Sequence, residues 1–266
     1  MSAPDDSELT AAALENDDVL AARLDLVASA LDGPVQAGAF TDEELAALDD
    51  LTLSPIQPSP WYESLTDTQK QLVMSAALRS LTARGVYRAE PVAEHHTLQP
   101  AVDPFVLAIL TMRRYVPYLV VVERATADFT DWALLYPQRG ETFLIEYVDR
   151  IGLHEFVAVD SETAVEAMIE WSGGNLEPSE PTDMLDVSLT TEQIAARPAV
   201  LEPLTRSLFS STATRFDPAR PDEESWTAVH AGGPSGIFAC APDGELVRYR
   251  SLRRDELHAW WELTVQ

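Results

Sequence analysis

Six residues recur at one spacing in this chain, and that recurrence constrains the fold more than any composition does. Pro104, Val106, Leu107, Leu110, Thr111 and Trp132 are each followed 94 positions later by the same residue, at Pro198, Val200, Leu201, Leu204, Thr205 and Trp226. One matched pair would mean little, but six in a single register indicate an internal duplication, which has to be read before any motif. Further on the offset falls to 90, pairing Ser161 with Ser251 and Trp171 with Trp261, as one loop shortened by four residues would produce.

Each half carries the same order of elements. In the first, an apolar helix from Asp103 runs through Phe105, Val106, Ile109, Leu110 and Met112 and ends near Pro117. Strands follow at 118–123, 131–136, 142–148 and 155–159, with a hairpin turn around Gln138, Arg139 and Gly140, then a helix capped at Asp160 or Ser161 and closed by Gly173. In the second, a helix over 198–209 precedes strands at 212–216, 226–230, 236–241 and 246–250 and a helix from Ser251. Between them, 174–186 is rich in Pro, Glu and Ser and reads as a linker. Upstream, Asn16 caps a helix that Gly33 stops, Thr41 with Glu44 opens another through a capping box, and Thr66 with Gln69 opens a third that ends at Gly85. A short strand at 86–88 and a polar loop holding His95 and His96 come next.

These elements predict an α+β fold of internally duplicated antiparallel sheet-plus-helix units with pseudo-twofold symmetry, preceded by a helical acidic N-terminal region. The domains expected are 1–60 for the acidic region, 61–175 for the first unit and 186–266 for the second.

Charge narrows the function. The formal net charge is −26, and residues 1–60 hold 13 Asp or Glu against Arg23 alone. Such a surface repels phosphate backbones and anionic membranes, so nucleic acid is not an expected partner. Cys240 is the only cysteine, which rules out an intrachain disulfide and a cysteine-based zinc site. No apolar run reaches the roughly 20 residues a membrane span needs, and the start, MSAPDDSELT, has neither a basic region nor an apolar core, so membrane insertion is not expected and the location expected is cytoplasmic.

Catalytic signatures do not emerge. His95 and His96 are adjacent and lack further ligands at metal-site spacing, His154 is expected to open a strand at the surface or a hinge, and His230 and His258 have no nucleophile motif around them. Gly232, Gly233 and Gly236 precede a strand rather than a helix, so a turn is expected and not a phosphate loop. No cofactor, metal or catalytic residue is assigned. Trp132 and Trp226 are expected at equivalent core positions. Trp260 and Trp261 are consecutive on a helix, about 100° apart, so one can be core while the other is partly exposed as a binding anchor. Geometry favours the loop Gln138, Arg139, Gly140 and Glu141 and the exposed side of Trp260 or Trp261 as partner-binding residues.

From Leu65 to Glu123 the order of features resembles the EspG family, the specificity chaperones of type VII secretion in actinobacteria. The residues that carry it are Leu81-Thr82-Ala83-Arg84-Gly85-Val86 at a helix end, Leu98-Gln99-Pro100-Ala101-Val102 opening the next helix, and the strand of Tyr118 to Glu123. The resemblance implies a non-enzymatic cytosolic chaperone that binds the tip of a helical-hairpin export substrate of the PE/PPE type. A competing reading is an acidic immunity or inhibitor protein that masks a basic toxin. A chaperone needs an apolar groove or patch, an inhibitor a dense acidic one.

Overall fold

The computed structural model describes residues 16–48, 57–92, 97–179, 184–217 and 225–265. It is a mixed α+β protein with a large antiparallel sheet, and the chain divides into two compact units, one of residues 1–116 with 138–159 and the other of 117–137 with 160–266.

The first unit begins with α1 (Asp17–Asp32), whose first backbone amides donate to the Asn16 side chain, as its sequence predicts. Strand β1 (Val35–Thr41) leads directly into α2 (Asp42–Leu48), so Thr41 both ends a strand and shares a reciprocal capping box with Glu44. The one-turn α3 (Pro60–Glu63) precedes α4 (Asp67–Ala83), which opens on the Thr66–Gln69 capping box and stops at Gly85, where φ is +76°. Instead of a single short strand and a loop, a hairpin follows: β2 (Tyr87–Val92) pairs antiparallel with β3 (Thr97–Val102). Residues 98–102, expected to open a helix, are therefore strand. Pro91 and Pro100 obscure it in the sequence, yet in a two-stranded sheet both strands are edges, where a missing N–H is tolerated. His95 and His96 lie outside the described residues. Helix α5 (Pro104–Arg114) starts at the Asp103 cap, and the unit is completed by β6 (Thr142–Val148) and β7 (Leu153–Asp160), giving the strand order β1-β7-β6.

In the second unit the strand order is β5-β4-β9-β10-β11-β12-β8. These strands are β4 (Leu119–Ala125), β5 (Thr130–Pro137), β8 (Asp186–Leu189), β9 (Phe209–Phe216), β10 (Ser225–Gly233), β11 (Gly236–Asp243) and β12 (Leu246–Leu252). Helix α6 (Ser161–Trp171) packs on α8 (Arg254–Val265), and α7 (Thr191–Ala195) opens on a Thr190–Gln193 capping box. The expected helix over 198–209 is a 3-10 helix, Ala199–Arg206, because Pro203 inside it lacks the N–H and crowds the preceding turn. Trp132 and Trp226 are half-buried rather than fully in the core.

Arg124 on β4 ties this unit together. Its guanidinium forms two bonds to the Asp131 carboxylate, donates to the Trp171 carbonyl at 2.6 Å, and stacks 4.2 Å from the Trp171 ring and 5.4 Å from Phe209. The Tyr118 hydroxyl serves α8 likewise, donating to the Val265 carbonyl at 2.5 Å. Helix carbonyls that lack an intrahelical partner are met from the strand side in both cases.

Phe209 also lies against Gly173, whose φ is +79° and where an added Cβ would sit 2.4 Å from Phe209 Cδ2. Gly244 has φ +63° but open space around it. Gly173→Ala is therefore expected to cost clearly more stability than Gly244→Ala, which should lose only the backbone penalty of about 1–2 kcal/mol. Urea unfolding of the two variants side by side checks this, and equal losses would remove the Phe209 contact from the account.

Candidate functional site

Inside the first unit, four ionisable side chains from four elements meet in the core. Asp42 at the start of α2, Arg113 in the last turn of α5, Glu146 on β6 and His154 on β7 are all at most 3% exposed. Arg113 grips Glu146 with two bonds, Nε to Oε2 at 3.0 Å and Nη2 to Oε1 at 2.9 Å. The His154 ring lies between the two acids, Nδ1 2.6 Å from Glu146 Oε1 and Nε2 2.6 Å from Asp42 Oδ1. The second Asp42 oxygen accepts the backbone N–H groups of Trp61 at 2.9 Å and Tyr62 at 2.8 Å, which pins α3.

A carboxylate accepts and cannot donate, so an imidazole with a carboxylate on each nitrogen satisfies both only when both nitrogens carry hydrogen. The geometry therefore favours the imidazolium for His154. Burial alone would push its pKa down, but the hydrogen bonds to Asp42 and Glu146 outweigh it and hold the pKa above the ordinary 6.5. With two anions and two cations the cluster is neutral, which is how four charges can sit in a core. All four side chains are buried, so the cluster braces the unit from within. His154 is accordingly buried at the heart of the unit and not at the surface or a hinge, because Phe156 shares its buried face of β7 and Glu146 waits for it on β6.

The brace supports a surface. Val19, Leu26 and Ala30 are the buried residues of α1, which packs on α5. Arg23, half-buried between them, donates to Gln138 Oε1 at 3.0 Å, and Gln138 Nε2 donates to the Met112 carbonyl of α5 at 3.0 Å. Burial, then the nearby Arg139, lowers the Arg23 pKa from its usual value. Gln138 is therefore committed to holding α1, while Arg139, Gly140 and Glu141 are exposed. Gly140 and Glu141 have φ of +73° and +59°, a left-handed pair that is costly for glutamate. One residue round from the buried stripe, α1 carries a second apolar stripe: Leu20, Leu24 and Leu31 are 48%, 56% and 54% exposed, and Val27 between them is half-buried. The apolar residues of α1 thus belong to two interleaved stripes, one covered and one exposed.

Trp260 and Trp261 belong to the second unit and meet edge to face, with ring centres 4.7 Å apart. Trp261 is fully buried, in line with Leu257 and Val265, and its indole Nε1 has no partner among the described residues. Only Trp260, half-buried, offers surface. Cys240 Sγ lies 3.9 Å from His230 Nε2, but burial pushes the thiol pKa up to about 11 and the imidazole pKa down, the reverse of an activated pair. Among the described residues no group of three His, Cys, Asp or Glu side chains is placed to hold a metal ion, and no helix is long and apolar enough to cross a membrane. The chain matches no protein-family model and no curated protein.

A raised His154 pKa adds stability that is complete below the ordinary histidine value of 6.5 and is lost as the pH rises through the higher folded-state value. Melting temperature is expected to fall across that alkaline window in the parent, and His154→Gln, which strands two carboxylates on one arginine, is expected to cost about 3–5 kcal/mol and to abolish the slope. Thermal melts over the window, run on both proteins, check this; a flat parent profile would refute the charged ring.

Proposed function

We propose that this chain is a non-enzymatic adaptor of the cytoplasm, a chaperone that binds a helical partner of the helical-hairpin type and delivers it to a type VII secretion machine, as the resemblance to the EspG family implies. The observation that carries the reading is the exposed apolar stripe of α1. Three leucines held open on a helix that is itself firmly seated are what a binding protein for an apolar helix requires. The exposed acids of the same helix are spread along its outer side rather than gathered in one dense patch, which favours the chaperone over the inhibitor.

The finer architecture belongs to the same proposal. Helix α5 is followed by four strands and α6, and the 3-10 helix by four strands and α8. We read this recurrence, together with the six-residue register, as a duplication whose halves share a pseudo-twofold axis. The capping boxes at Thr66 and Thr190 would then be counterparts.

Affinity capture from the native host, with the full chain as bait at low and at high salt, tests the reading. A small helical secretion substrate of the PE/PPE kind that survives high salt is the expected result, since apolar contacts are screened little by ions. A basic toxin that washes off with salt would replace the chaperone by an immunity protein, and an empty bait at both salts would overturn both.

A further inference from the structure

Helix α1 carries two stripes of identical spacing, the inner one of Val19, Leu26 and Ala30 interrupted by the half-buried Arg23 and the outer one wholly apolar. Residues 19, 23, 26 and 30 face the unit's interior, and residues 20, 24, 27 and 31 repeat the 4-3-4 pattern one position on, about 100° round the helix. A 4-3-4 stripe is the seam that an opposing helix fills with its own apolar side chains. Here it is Leu20, Leu24, Val27 and Leu31, with no described element over it and its leucines about half exposed. On the side of the seam away from the buried stripe, Asp17 lies between Leu24 and the exposed Ala28, and the exposed Ala21, small enough for close approach, is followed round the helix by Asp32 and Asp25.

We infer that this seam is a docking surface for one amphipathic helix whose apolar stripe is flanked by Lys or Arg; the inference rests on the adaptor reading and names the partner's chemistry. Charge selects the occupant. A second copy of the chain would bring another row of aspartates and a net −26 against the first, so self-pairing through this face is repelled. Residues 1–15 of the chain itself carry Asp5, Asp6, Glu8 and Glu15 and meet the same repulsion. A basic-flanked helix gains ion pairs along the aspartate row, and the overall negative field draws it in. A seam of four residues on a helix about 24 Å long is a small contact, so micromolar affinity is expected.

The probes are two 21-residue peptides with leucines at the same 4-3 spacing, one flanked by lysines and one by glutamates, titrated into the full chain. The lysine peptide is expected to bind at least tenfold tighter than the glutamate peptide. Leu20→Ser/Leu24→Ser/Leu31→Ser should weaken it at least tenfold while lowering the melting temperature much less than His154→Gln does, because these side chains are about half exposed. Leu263→Ser, at a leucine 79% exposed on α8, should have no effect. Equal binding of the two peptides overturns the charge selection. Undiminished binding to the triple variant overturns the seam, and so does a parent dimer that the triple variant abolishes. A helical secretion substrate that still co-purifies with the triple variant would refute this surface but leave the adaptor reading standing.

Discussion

Two carboxylates on opposite sides of one imidazole ring are both satisfied when the ring carries both protons and its charge answers theirs. Asp42, His154, Glu146 and Arg113 meet in that arrangement as buried side chains, and each comes from a different element. Removing any one would leave a buried charge uncompensated, which costs far more than the assembled set gains. The cluster therefore specifies one arrangement of α2, α3, α5, β6 and β7 and penalises every other. Phe156 and Phe40 close over it, their rings edge to face at 6.1 Å, and the Arg113 guanidinium lies 5.6 Å from the Phe156 ring.

What that rigidity serves is visible one layer out. Arg113 and Met112 occupy the end of α5 on which α1 lies, and Gln138 links the Met112 carbonyl to Arg23 of α1. A helix so fixed can keep leucines in water without swinging them inward. The second unit uses the same means on a different scaffold: Arg124 and Tyr118 hold the carboxyl ends of α6 and α8 to the strands. Polar side chains aimed at helix ends set where the helices lie, and apolar packing fills the space between.

Features encoded within a few residues were legible in the sequence. The caps at Asn16, Thr41, Thr66 and Asp160 each act on an amide two or three positions away, so short motifs suffice to find them. Strands β1 and β8 were not foreseen; β1 is interrupted by an irregularity between Gln36 and Gly38, and β8 is only four residues, beginning at the last position of the stretch read as linker. The ionic brace joins residues as much as 112 positions apart, beyond any local motif. Its one trace is Glu146, the one charge on the buried positions of its strand, matched by Arg113 three and four residues after Leu110 and Ile109 on the core side of α5. A charge in such a place demands a partner. The exposed stripe of α1 was hidden for the opposite reason, since leucines at helical spacing look the same whether they are covered or not.

The protonation state of one ring decides whether the brace is built as described. Long-range proton–nitrogen correlation of the histidine side chains, at neutral pH on uniformly labelled protein with His154 assigned through His154→Gln, observes it directly. Protons on both His154 nitrogens at a pH where a free histidine is mostly neutral are the predicted result. A single-proton tautomer there would contradict the charge balance on which the first unit, and the surface it carries, depends.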